Sequence, residues 1–302
     1  MNEGIGGLRV VDLFCGCGGM SLGFQNSGFN IVAAFDNWAP AVETYSANFS
    51  HPIYNMDLYS EDSLNLIKKI SPTMIIGGPP CQDFSIAGKG ICGKRANLTR
   101  RFSEIVAEIK PEWFVMENVY NIEKKPVLKE AINIFENAGY SLTARILNAS
   151  YCGVPQARMR YFLIGKRNDH DGFLNEIIES RLSDKPMTVF DYLGDSLHTE
   201  FYYMHPRNYQ RRAVFSIHEP SATIRGVNRP IPSNYVKHPA DKSDINENVR
   251  SLTSKERSYL QTFPKNFVFC GNKTNIEQQI GNAVPVKLAE FVADSIKEYL
   301  DD

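Results

Sequence analysis

Leu8-Arg9-Val10-Val11-Asp12-Leu13-Phe14-Cys15-Gly16-Cys17-Gly18-Gly19-Met20 decides the fold of this chain. An apolar run with β-branched residues ends at Phe14, passes into a glycine-rich turn, and is followed by a helical pattern from Met20 to Ser27. This reads as strand, glycine turn, helix. A second apolar run, Asn30 to Phe35, ends in Asp36, and Ala41 to Asn48 is helical in pattern after Pro40. Further strands are expected at Met74 to Ile76, Trp113 to Met116, Thr143 to Leu147 and Tyr161 to Ile164. Helices are expected at Ser63 to Ile70, Arg101 to Ile109 and Val127 to Ala138. Strands alternating with helices predict an α/β fold with a mainly parallel, doubly wound, Rossmann-like sheet.

Past about residue 185 the texture changes to aromatic and basic residues, prolines and short apolar runs without helical period. A second, smaller domain is expected there, which divides the chain into 1–186, 187–275 and a C-terminal segment, 276–302. That last segment contains Pro285 and then Leu288, Phe291, Val292, Ile296 and Leu300 at helical spacing, a helix expected to pack back on the sheet.

A length of 302 residues, 43% of them hydrophobic, is enough to bury a substantial core. No run approaches the roughly 18 apolar residues of a membrane helix. Met1-Asn2-Glu3-Gly4 lacks the basic and apolar regions of a signal peptide, so a cytoplasmic location with no membrane partner is expected. The six cysteines (15, 17, 81, 92, 152 and 270) show no zinc spacing and read as reduced thiols, with no metal expected. Net charge is −1, but residues 205–260 hold ten Lys/Arg against five Asp/Glu, so that stretch carries +5 and the remainder −6. One basic face suffices for DNA.

Four groups of residues carry chemistry. Gly16 to Asp36 has nucleotide-fold spacing: backbone approaches a ligand at a helix N-terminus, and a carboxylate at the next strand end accepts ribose hydroxyls. NAD, FAD and S-adenosylmethionine fit alike, and a plain tight turn is the alternative. Asp57, after Ile53-Tyr54-Asn55-Met56, suits either an adenine amino group or a surface cap. Gly77-Gly78-Pro79-Pro80-Cys81-Gln82 puts a thiol just past a strand end, in a turn stiffened by two prolines, where ligands of open α/β sheets gather. Glu117-Asn118-Val119 places a carboxyl group at another strand end, suited to general acid chemistry or to a cap or salt bridge. Gln156-Ala157-Arg158-Met159-Arg160 projects two guanidinium groups to one side of an extended segment, for a carboxylate, a phosphate or a base carbonyl, or simply toward solvent.

Asp12 to Gly19, Gly78 to Gln82, Glu117 to Val119, Gln156 to Arg160 and Gln279-Ile280-Gly281-Asn282-Ala283-Val284-Pro285-Val286 occur in this order. The set resembles the ordered motifs of the cytosine-C5 DNA methyltransferases and spans nearly the whole chain. Only about 187–248 lies mostly outside the motifs, where that family places its target-recognition domain. There, Pro220-Ser221-Ala222-Thr223-Ile224 still resembles a family element, and Arg250-Ser251-Leu252-Thr253 to Thr262-Phe263-Pro264 keeps the ninth-motif outline.

The resemblance implies methyl transfer from S-adenosylmethionine, with S-adenosylhomocysteine as product, to C5 of a cytosine in double-stranded DNA. It implies that Cys81 adds to C6 while Glu117 stabilises the proton at N3. Asn118 would hold the Pro-Cys loop, Arg158 would contact the base, and Arg160 would support the loop. Because a duplex hides C6, the target base must flip out. For the cofactor, Phe14, Gly16 and Gly18 fit the adenosine and methionine cradle, Asp36 the ribose, and Asp57 the adenine amino group. Asn37 or Trp38 would pack on adenine, Leu98 matches a backbone contact, and Asn282 and Val284 match the methionine end. Arg225 and Arg229 are expected nearest the target bases. The resemblance further implies a bacterial modification enzyme, monomeric and nucleoid-associated, with a cognate restriction nuclease as a functional partner.

The chain departs from the family at Arg95-Ala96-Asn97-Leu98, where many members have glycine second, and at Tyr151-Cys152-Gly153, where Asp-Tyr-Gly is more usual. A tRNA cytosine-C5 methyltransferase is the main rival. That branch usually carries a Cys-Phe-Thr element after its small domain, and none occurs here. A Rossmann oxidoreductase has no use for Pro-Pro-Cys-Gln with Glu-Asn-Val, and a silent nucleic-acid binder would not need the whole cysteine, acid and arginine set.

Overall fold

The computed structural model describes residues 7–80, 98–208 and 210–301. Its larger sheet begins with β1 (Arg9–Leu13), α1 (Gly19–Asn26), β2 (Asn30–Asp36), α2 (Ala39–Asn48), β3 (Ile53–Asn55), α3 (Glu61–Ile70) and β4 (Met74–Gly77). It continues through α4 (Leu98–Ile109), β5 (Trp113–Val119), α5 (Pro126–Asn137), β6 (Tyr140–Asn148), β7 (Gln156–Ala157) and β8 (Met159–Arg167). Seven of these strands form one sheet in the order β3-β2-β1-β4-β5-β8-β6. The first five are parallel, whereas β8 runs antiparallel to both neighbours. The two last strands expected from sequence are therefore not part of the parallel run. Only a single 3-10 turn, Ala149–Tyr151, and the short β7 separate β6 from β8, and a strand that returns directly beside its predecessor runs antiparallel to it.

Both faces of the sheet are covered, which is why its central strands carry apolar residues toward both sides rather than at alternate positions only. Val10, Met74, Ile76, Trp113 and Val115 belong to one core cluster, and Val11, Ile75, Phe114 and Met116 to the other. On the first face, α1 packs against the C-terminal helix; on the second lie α4 and α5.

Beyond β8 come α6 (Asn175–Arg181), α7 (Val189–Leu193), β9 (Phe201–Tyr203), β10 (Val214–Ser216), β11 (Ser221–Ala222) and β12 (Arg250–Ser251). They are followed by α8 (Ser254–Leu260), α9 (Lys273–Asn282) and α10 (Val286–Asp301). A three-stranded sheet, β10-β9-β12, and the β11-β7 pair complete the structure. This part has its own apolar core, including Tyr202, Phe215, Ile224, Leu252, Leu260 and Ile280. Among the short helices that lie where the sequence shows no helical period are α7 and α8. Each starts on a capping box, Thr188 with Asp191 and Thr253 with Glu256, so local hydrogen bonds rather than apolar spacing define them. The chain returns to the larger sheet at Val286: α9 packs with the second core through Ile280, and α10 packs on α1.

Candidate active site

Strand order reverses between β1 and β4, and at such a switch point the carboxyl ends of neighbouring strands diverge into a crevice. The glycine turn after β1, the Gly78-Pro79-Pro80 turn after β4, and Glu117 at the end of β5 all meet there around a cavity of about 340 Å³. Phe14, Gly16, Asp36, Asn37, Trp38, Asp57, Leu98, Asn282 and Val284 line it. Gly18 does not, although it shapes the turn: it sits at φ 95° capping α1, where a side chain would collide with Phe49. Gly19 permits a close approach of backbones, because a Cβ there would lie 2.2 Å from the Val284 carbonyl oxygen.

Asp36 holds its own surroundings. One carboxylate oxygen accepts from the Gly16 N–H at 2.9 Å and the other from the Trp38 N–H at 2.8 Å. Burial nevertheless pushes this carboxyl above its ordinary value. Asp57 accepts from the Tyr59 N–H at 3.0 Å. The cavity floor also holds Asp12, fully buried, whose carboxyl is pushed up to about 7 by burial, against the lowering effect of its Ser21 hydrogen bond.

At the other wall, Glu117 is paired with Arg160 at 2.8 Å. Burial raises the Glu117 carboxyl, while Arg160 and Arg158 act to lower it. Next to it, Asn118 donates from Nδ2 to the Pro79 carbonyl oxygen at 2.9 Å, tying β5 to the proline turn. Cys81 itself lies outside the described residues. Arg160 also faces a second, larger cleft of about 1050 Å³ between the sheet edge and the smaller unit. The Glu117–Arg160 pair thus stands where the two cavities adjoin. Arg207, Arg211, Arg225 and Met159 are among the residues lining this cleft.

The family model for C-5 cytosine-specific DNA methylase matches residues 8–298. The chain belongs to that family. It is a DNA cytosine-C5 methyltransferase. Over 292 residues it is 60% identical to the Type II methyltransferase M.HindV of Haemophilus influenzae, spanning 96% of each chain. Over 296 residues it is 53% identical to the Type II methyltransferase M.HgiDI of Herpetosiphon aurantiacus, spanning 97% of this chain and 96% of the relative. The solved S. pombe Dnmt2 methyltransferase superposes with a TM-score of 0.73 over 97% of this chain and 98% of that one, at 20% identity, a likeness of fold alone.

The two arginines of Gln156–Arg160 do not share an open face in this methyltransferase. Arg158 is 1% exposed and donates to the carbonyl oxygens of Ile224 (2.9 Å), Gly281 (3.0 Å) and Ala283 (3.1 Å). Its expected contact with the base is therefore replaced by a structural task, and Arg160 is the cation beside Glu117. The reason is tertiary: the segment after β11 and the end of α9 present carbonyls that lack helix or sheet partners, and a guanidinium satisfies three at once. Gln156 does similar work, accepting from the Ile224 N–H at 2.9 Å and donating to Gln261 at 2.8 Å.

Arg225 lines the larger cleft, with its guanidinium donating to the His205 carbonyl oxygen. Arg229 is exposed and is not among the residues that line it. Arg212, in the same basic stretch, is held by Glu219 at 2.8 Å and stacks on Phe215. Arg207 and Arg211, both exposed between β9 and β10, act electrostatically on Arg225. Asp12 was not singled out from the sequence, since an acid inside an apolar strand carries no local sign of facing a cavity. Cys15, Cys17 and Cys152 are buried free thiols pushed upward by burial, and so are protonated and unreactive. Among the described residues no group of three or more His, Cys, Asp or Glu could hold a metal ion, and no helix is long and apolar enough to cross a membrane.

Proposed function

We propose that the chain methylates C5 of a cytosine flipped from double-stranded DNA, using S-adenosylmethionine as donor, and serves as the modification partner of a restriction nuclease. The observation that carries this reading is the Glu117–Arg160 pair, set between a nucleoside-sized cavity and a basic cleft, with Asn118 fastened to the turn that leads into Cys81. The modification role is supported by the Type II relatives.

The smaller cavity fits the cofactor. Phe14 and Trp38 line it with aromatic rings, Asp36 would take the ribose hydroxyls and Asp57 the adenine amino group, and Leu98, Asn282 and Val284 line the remaining walls. Asp12 Oδ1, buried without a hydrogen-bond partner, suits a ligand that brings positive charge. When bound, S-adenosylmethionine supplies an electrophilic methyl group.

C5 of cytosine is a weak nucleophile until the ring is made electron-rich. In this reading the Cys81 thiolate bonds to C6 while Glu117 supplies a proton to N3, so the electron pair of the C5–C6 bond becomes available at C5. The raised Glu117 carboxyl keeps that proton at a higher pH than an exposed glutamate would. Arg160 orients the carboxyl and limits how far it rises. After methylation the C5 proton is removed by a base, the Cys81–C6 bond breaks, and the thiolate is restored. Arg225 would face the target duplex from the cleft.

Duplex DNA carrying 5-fluorocytosine at the target should yield a denaturation-resistant protein–DNA complex in the presence of S-adenosylmethionine, because fluorine cannot leave C5 as a proton does. No such complex would refute the mechanism. Cys81→Ala should abolish turnover yet retain cofactor binding. Glu117→Gln should lower kcat roughly 10²- to 10⁴-fold, the usual contribution of a positioned acid. Bisulfite sequencing of host DNA would identify the target sequence, and label transferred to tRNA instead of DNA would overturn the substrate.

A further inference from the structure

Between β11 and β12 the chain runs through residues 223–249 without a helix or strand, yet this loop is fastened by one side chain. The Asp241 carboxylate accepts at Oδ1 from the Ala213 N–H at 2.8 Å and the Val214 N–H at 3.0 Å. At Oδ2 it accepts from the Tyr235 hydroxyl at 2.5 Å and the His238 N–H at 2.8 Å. The Lys242 N–H adds a bond to the Val214 carbonyl oxygen at 3.2 Å, and Tyr235 packs edge-on against Tyr203 of β9 with ring centroids 5.7 Å apart. One carboxylate thus pins residues 235–241 to the start of β10. Within that stretch, half-buried His238 and exposed Ala240 line the larger cleft.

The His238 ring is oriented as well. The Ala240 N–H donates to its Nδ1 at 3.1 Å, so that nitrogen presents its lone pair and the neutral ring carries its proton on Nε2. Among the described residues Nε2 has no hydrogen-bond partner. His238 therefore offers the cleft one donor of set direction. Arg207, Arg211 and Arg225 are donors only, and among the described residues no Asp or Glu lines the cleft.

We propose that His238 is a specificity-determining residue that donates from Nε2 to the major-groove edge of one guanine in the recognition sequence. This rests on the duplex-DNA reading of the cleft. Guanine is the base whose major-groove edge presents the acceptors N7 and O6 and no donor, so it matches a wall that donates and has no carboxylate to accept. A phosphate contact is the competing task for any donor in this cleft. The three arginines already answer phosphate charge, and a neutral imidazole would release no counterion. A ring whose tautomer is set by Ala240 and whose loop is set by Asp241 has the directional precision that base reading needs and charge neutralisation does not. A purely structural task, closing the turn, needs only Nδ1, so variants that separate the two ring nitrogens decide between them.

The test is whole-genome bisulfite sequencing of a host with no cytosine-C5 methylation of its own, expressing the full chain as wild type, His238→Asn or His238→Gln. Asparagine keeps an acceptor near the position of Nδ1 and removes the far donor, whereas glutamine carries an amide N–H out to about the position of Nε2. His238→Asn should relax the methylated consensus at one G·C pair and leave every other position as in wild type. His238→Gln should keep the guanine requirement there. On purified duplexes in which that pair is G·C or C·G, the preference in kcat/KM for guanine should fall roughly tenfold in His238→Asn. An unchanged consensus and preference in His238→Asn would overturn the proposal and leave the turn-closing task. Weaker methylation at every site with the same consensus would overturn it in favour of a phosphate contact. Relaxation at several pairs in both variants would overturn it equally, because the loop rather than the donor would then carry the effect. A wild-type chain that methylates no cytosine in duplex DNA would instead refute the reading of the cleft itself.

Discussion

Replacing Arg257 by Met tests how the cleft-lining segment is held against α9. Arg257 and Glu277 form an ion pair whose side chains are each 4% exposed. The guanidinium also donates to the carbonyl oxygens of Arg225 and Val227, while Glu277 accepts from Asn228 at 3.0 Å and from Ser254 at 2.6 Å. Gly281 lets the backbones touch, since a Cβ there would lie 2.1 Å from the Gly226 nitrogen. Removing Arg257 leaves a buried carboxylate without its cation, which costs about 3–5 kcal/mol. The double variant Arg257→Met/Glu277→Gln removes that charge and keeps an acceptor for Asn228 and Ser254, so its cost should fall to about 1–2 kcal/mol from the two unpaired carbonyls. Urea unfolding followed by circular dichroism, on wild type, both single variants and the double, measures the cycle. Duplex binding should fall in Arg257→Met, because Arg225 projects from the released segment. A cost below about 1 kcal/mol for Arg257→Met, or single costs that add to the double within about 0.5 kcal/mol, would refute the reasoning.

Three further outcomes are expected. Gly19→Ala should cost about 1–3 kcal/mol of stability and weaken cofactor binding, because the new Cβ meets the Val284 carbonyl; calorimetry and thermal melting check both. Asp12 has an ordinary value of 3.8 and about 7 in the fold, so its stabilising contribution is complete below 3.8 and is lost as pH rises toward 7, by about 4 kcal/mol. Asp12→Asn should accordingly raise the melting temperature of the cofactor-free protein at pH 8 and leave it unchanged near pH 4. Arg211→Ala should weaken binding evenly across DNA sequences and reduce the salt slope by about 1, as expected for a phosphate contact; a loss confined to one base pair would mark base reading instead.

Nine of the ten positions expected to hold the cofactor line the smaller cavity. Of these, the glycine turn after β1 and the acid at the end of β2 show in local spacing, whereas the others were implied by the family resemblance. Arg158 and Arg160 were not separable in this way. Both alternate along one extended segment, and which of them is consumed by carbonyls depends on α9 and the turn after β11, more than sixty residues away. The same holds for Arg212, whose charge is taken by Glu219, and for the short capped helices α7 and α8.

By itself the sequence determined the alternation of strands and helices through the larger sheet and the residue types gathered at its strand ends, since apolar period and glycine placement act within one element and its turn. Only the tertiary structure decided which charged groups remain available for chemistry. Partnership in a folded chain is set by burial and by hydrogen bonds between distant segments, and these placed Glu117 beside Arg160, sealed Arg158 among three carbonyls, and left one oxygen of Asp12 unpaired at the cavity floor.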